Sequence, residues 1–148
     1  MMGALKLLHL LSVIVWVGGM FFAYVVLRPT AVDVLQPPER LRLWDGVFRR
    51  FFRWVWAAIG ALLVTGTVMI APMEVAPIYV HIMYLLGFVM MGIYLYVYFG
   101  CYRPMSRMVA EQRWPDAGKM LARIRMLVAA NLSLGLLIVA EVMMGRGY

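Results

Sequence analysis

Charge is scarce in this sequence, and acidic charge scarcest: 7 Asp and Glu stand against 14 Lys and Arg in 148 residues. Charged residues make up 14% of the chain, against ~25% in soluble globular proteins. A water-soluble surface cannot be dressed with so little charge, so a soluble domain is excluded. Histidine is limited to His9 and His81, and Cys101 is the single cysteine. One cysteine rules out an internal disulfide and any multi-cysteine zinc or iron–sulfur site. The sequence shows no activated serine, no carboxylate pair within an apolar run and no glycine-rich phosphate loop. Any chemistry has to come from a bound cofactor, so the sequence leaves open whether the protein is an enzyme.

What fills the chain instead is apolar: 65% of residues are hydrophobic and the mean hydropathy is +0.86. Crossing the hydrocarbon takes ~20 apolar residues, and four runs qualify: Ala4–Leu27, Arg53–Ala71, Ile78–Gly100 and Leu121–Met143. The first is longer than the ~7–15-residue apolar core of a signal peptide, and no small-x-small cleavage site precedes Arg28. It is expected to stay as a helix. The predicted fold is all-α, a single membrane domain over 1–148 built as a four-helix transmembrane bundle.

The cations set its orientation. Arg28, Arg40, Arg42, Arg49, Arg50 and Arg53 precede or open the second run; Arg103, Arg107, Arg113, Lys119, Arg123 and Arg125 lie around the link into the fourth. Only Lys6 and Arg146 lie elsewhere. The positive-inside rule then puts both long connections in the cytoplasm and both termini outside, N-out and C-out. In a bacterial cell the expected location is the inner membrane, as a multi-pass protein. A net charge of +7 so distributed speaks of topology, not of nucleic acid as a partner.

Within the first connection, "ERLRLWDGVFRRFF" repeats Leu41, Trp44, Phe48 and Phe51 at helical spacing, with Arg42, Arg49 and Arg50 on other faces. This pattern predicts an amphipathic helix lying at the interface before the second span. Arg28-Pro29 is expected to close the first span and Pro104 to end the third, while Pro115 suits the first turn of the fourth helix. Asn131, in mid-span, is expected to bond a neighbouring helix.

The two histidines occupy similar depths. His9 lies in the first turns of span one and His81 in the first turn of span three, both entered from outside. Ionisable groups in spans usually face the bundle interior, so the pair is expected to converge on one ligand. Helical steps from His9 reach Trp16 and Met20, and from His81 reach Phe88 and Gly92: apolar, aromatic walls suited to a flat partner. Two imidazoles across such walls suit a b-type haem with His9 and His81 as axial ligands. Lys6 and Arg146 would meet its propionates, and the role would be electron transfer between a membrane quinol and an external redox partner. The same histidines suit copper, with Met83 or Met73 as soft ligands among the 14 methionines. In a third possibility there is no cofactor, and the histidines only hydrogen-bond in a structural or assembly protein. Four helices leave lateral surface on which a homodimer could form.

"LKLLHLLSVIVWVGGMFF" followed by "VLRP", then "YVHIMYLLGFVMMGIYLYVYF" and "RIRMLVAANLSLGLLIV", resembles the copper-resistance D-like (CopD-like) bacterial membrane proteins. The resemblance is anchored at His9, Trp16, Gly19, Arg28, His81 and Asn131, and it implies involvement in copper uptake or resistance. More distantly, Lys6 with His9 and the "YVHIM" stretch are similar to motifs of the HemJ-type protoporphyrinogen oxidase, a haem-binding membrane enzyme. That enzyme carries a lysine two residues after the second histidine, where this chain has Met83. The likeness therefore implies haem ligation more than porphyrin oxidation.

Overall fold

The computed structural model describes residues 1–146. They form four helices, α1 Met2–Val34, α2 Pro37–Ile70, α3 Ile78–Ala110 and α4 Trp114–Gly145, each long and apolar enough to cross a membrane. The all-α, four-span architecture is as the sequence predicts. At 1.5 Å per residue the helices reach ~50 Å, against ~30 Å of hydrocarbon. Each therefore runs beyond its predicted span. Short links make sequential neighbours antiparallel. One end of the bundle thus holds Met1, Arg146 and the 71–77 turn; the other holds the arginine-rich links.

In α1 and α3 the extra length comes from prolines that do not stop their helices. Arg28-Pro29 and Arg103-Pro104 each follow a six-residue π-helical segment, Phe22–Leu27 and Val97–Tyr102, after which the α-helix resumes to Val34 and Ala110. Proline has no N–H to donate, and its ring crowds the carbonyl four residues back. Widening the preceding turn relieves both without breaking the rod. Both sites share one further feature: the arginine stacks on the aromatic ring four residues earlier, Arg28 on Tyr24 at 4.6 Å and Arg103 on Phe99 at 5.8 Å. The expectation that these Arg-Pro pairs end the first and third helices is corrected accordingly. Pro115 does stand in the first turn of α4.

The predicted interfacial helix is also corrected. "ERLRLWDGVFRRFF" is the first half of α2, continuous with the span. Its apolar face is buried in the bundle: Leu41, Trp44, Phe48 and Phe52 are each 4–5% exposed. The reason is aromatic packing between α2 and α3. Phe52 meets Tyr94, Tyr98 and Tyr102 edge-on at 5.2–6.0 Å and stacks on Phe48 at 5.1 Å. The Tyr94 hydroxyl donates to the Phe52 carbonyl at 3.1 Å. Geometries of this kind add ~0.5–1.5 kcal/mol per pair beyond burial.

Small residues set the helix spacing. A Cβ on Gly19 of α1 would run into the Phe51 ring of α2, and one on Gly135 of α4 would lie 2.8 Å from Val17 of α1. Asn131, 3% exposed, donates from Nδ2 to the Met90 carbonyl at 3.1 Å and ties α4 to α3. Helices α2 and α3 press together toward the arginine-rich end and part toward the terminal end. That parting opens the space described next.

Candidate functional site

His9 projects from α1 toward α2, where Thr65 is fully buried. The Thr65 hydroxyl donates its one proton back along its own helix, to the Ala61 carbonyl at 2.6 Å. Its oxygen also lies 2.7 Å from His9 Nδ1. With the hydroxyl proton committed, that oxygen accepts from Nδ1–H. The neutral imidazole then carries its lone pair on Nε2, the form in which histidine binds metals. A buried acceptor that fixes ring and tautomer in this way is the usual support behind a metal-ligating histidine.

The ring borders a cavity of about 100 Å³ between all four helices, to which α3 contributes Met83, Met90 and Met91 and α2 contributes Gly66. Gly66 keeps the floor open: a Cβ there would lie 3.2 Å from the Tyr84 hydroxyl and 3.7 Å from His9 Cε1. The donor set is one imidazole with several thioethers, a soft combination. Among the described residues no three of His, Cys, Asp or Glu come together, so a closed zinc or hard-cation cage is not built here.

The other predicted residues divide. Trp16 and Met20 are each 3% exposed; Trp16 borders the His9 cavity, whereas Met20 does not. His81 does not border the His9 cavity; it is exposed, its Nδ1 3.2 Å from the Pro77 carbonyl at the start of its own helix. Of the rest of its stripe, Phe88 is 56% exposed yet borders the His9 cavity, whereas Gly92 is exposed and lies outside it. The inward face of α3 carries Val80, Met90, Tyr94 and Val97 instead. The axial pair proposed for haem is therefore not assembled. The cavity is also well below the ~300–1,000 Å³ of small-molecule sites, so these residues do not fit the macrocycle. Lys6 and Arg146 are exposed, and neither forms an ion pair among the described residues. Met73 lies 46% exposed in the 71–77 turn, outside the cavity. Met83 alone of the predicted soft ligands joins His9.

The structure adds Thr65, Gly66, Met90 and Met91 to the site. A signal for Thr65 stood in the sequence: "VTGT" puts hydroxyls in the last turns of span two, at the depth His9 reaches in span one.

These features define a multi-pass helical membrane protein with a buried imidazole–thioether cavity near the end that carries Met1 and Arg146. The protein-family model of copper resistance protein D matches residues 45–144, well over half of the chain, and the chain belongs to that family. No curated protein and no solved structure shows a significant match. The matched stretch holds Thr65, Met83, Met90 and Met91; all of α1, including His9, lies outside it.

Proposed function

We propose that this protein handles copper within the membrane, holding Cu(I) between Nε2 of His9 and the thioether of Met83, with Met90 and Met91 beside them. Family membership supports a copper-related role. The observation that carries the site is the Thr65 hydroxyl, which engages Nδ1 and leaves Nε2 without a protein partner on a ring that borders a methionine-lined cavity. Imidazole and thioether together favour Cu(I) over zinc or harder cations. Copper is cargo in this reading, and the shortage of further donors suits a site that must release it. The distribution of Lys and Arg supports a position toward the non-cytoplasmic face, periplasmic if the host membrane is a bacterial inner membrane.

The test is anaerobic loading of detergent-purified protein with Cu(I), desalting, and elemental analysis. Wild type, His81→Ala and Met73→Leu should retain about one copper per chain, whereas His9→Ala and Met83→Leu should lose most of it. Equal copper in wild type and His9→Ala would sink the proposal. Equal losses in His9→Ala and His81→Ala would restore the two-histidine site instead.

A further inference from the structure

A second cavity, about 260 Å³, opens inside the arginine-rich half of the bundle. It is many times the ~10–15 Å³ that admits one water. Its body is aromatic, with Trp16, Trp44, Phe48 and Phe52 in the wall. Three arginines, Arg28, Arg40 and Arg125, also border it, and no Asp or Glu does. None of the three forms an ion pair among the described residues. Arg28 bonds through Nε to the Tyr24 carbonyl, and Arg40 through one terminal nitrogen to the Leu35 carbonyl. The Arg40 Nε is buried without a partner.

Topology accounts for arginines at this end of the bundle, Arg125 being exposed and Arg28 half-buried, but not for the buried Nε of Arg40. Arginines serving only the positive-inside rule can extend to headgroups and water. Here that buried donor is left unmatched, which is unfavourable when nothing fills the site. The missing partner has to accept hydrogen bonds and bring negative charge. The aromatic walls behind ask for an apolar body. A bare copper cation meets neither requirement, since three uncompensated positive charges repel it.

We infer that this cavity binds an amphiphilic anion, with a carboxylate or phosphate between Arg28, Arg40 and Arg125 and an apolar body among Trp16, Trp44, Phe48 and Phe52. The inference does not depend on copper at the His9 cavity. Two sources share this chemistry, a phospholipid from the bilayer and a free long-chain carboxylate, and the experiment separates them.

Native mass spectrometry from a non-ionic detergent would follow 1:1 adducts with dioleoyl-phosphatidylglycerol, oleate and, as control, dioleoyl-phosphatidylcholine. At least one anionic probe should bind ten-fold or more tightly than phosphatidylcholine; phosphatidylglycerol alone identifies the lipid source, and oleate alone the free carboxylate. The Arg40→Gln/Arg125→Gln double variant should erase that preference. Gly118→Leu should block the adduct with every arginine in place. Gly118 borders the cavity, and a Cβ there meets nothing within 4 Å, so this variant keeps the test available should the double variant not fold. Binding equal to phosphatidylcholine, no binding by either anion, or an adduct unchanged in Gly118→Leu would overturn the inference.

Discussion

Replacing Thr65 by valine removes one oxygen from a fully buried position and hardly changes the shape. The Ala61 carbonyl loses a second donor but remains within the backbone ladder of α2. The loss falls on His9, whose Nδ1–H no longer finds the acceptor now 2.7 Å away. An unsatisfied donor of this kind costs ~1–3 kcal/mol when buried, and the lower half of that range applies because His9 is only half-buried. The effect on metal is separate. Without its anchor the ring can turn, and either nitrogen can carry the proton. Losing such a support lowers metal affinity ~10–100-fold, which is ~1.4–2.8 kcal/mol.

Anaerobic competition against a chromogenic Cu(I) chelator at fixed pH would measure that loss, with a thermal melt of the same samples reporting stability. Thr65→Ser separates the two effects: it keeps the oxygen and removes a methyl worth ~0.8 kcal/mol of burial. Serine should therefore melt somewhat lower yet bind copper like wild type, whereas valine should bind at least ten-fold more weakly. A valine variant that melts lower but binds copper with wild-type affinity would show that Thr65 only supports packing. The argument from tautomer to metal would then fail.

Two further substitutions test the packing that creates the cavity. Gly135→Val would drive a side chain into Val17, where even a Cβ comes within 2.8 Å; overpacking of this kind costs ~1–3 kcal/mol. A clearly lowered melting temperature in detergent is expected, and an unchanged one would mean that α1 and α4 are not so close. Asn131→Leu removes the bond to the Met90 carbonyl and should destabilise by the ~0.6–2 kcal/mol typical of interhelical bonds in membranes; a stabilised variant would contradict that bond.

Spans, cation distribution and the Asn131 link could all be read from the sequence, because each rests on a residue type that membranes tolerate in few places. The direction in which α3 faces could not. In a soluble helix the polar face marks the outside, but α3 is apolar all round, and lipid is as apolar as a helix interface. His81, Leu85 and Phe88 therefore looked as suitable for the core as Val80, Met90 and Tyr94. His81 itself was misleading, since an imidazole beside Pro77 at a helix start can bond the local carbonyl and needs no partner across the bundle. The overlong helices were hidden for a related reason. Proline usually marks a boundary, and nothing local in "LRPT" or "YRPM" signals that a π-helical turn will carry the helix through.

The two cavities share one wall, and its composition constrains how copper could move. Trp16 borders both and is 3% exposed. It meets Tyr94 edge-on at 6.3 Å, and Tyr94 is in turn bonded to the Phe52 carbonyl. A cation passing from His9 toward the arginine-rich end would have to displace this pair. It would then enter a space bordered by three arginines that form no ion pair among the described residues. Two like unit charges ~4 Å apart repel by about 4 kcal/mol in a partly buried setting, so even one close approach forbids a resting position there. The bundle is thus polarised, soft neutral donors at one end and uncompensated positive charge at the other. If copper is held at His9 as proposed, this arrangement favours its return on the side it entered, and it argues against a pore for the bare ion.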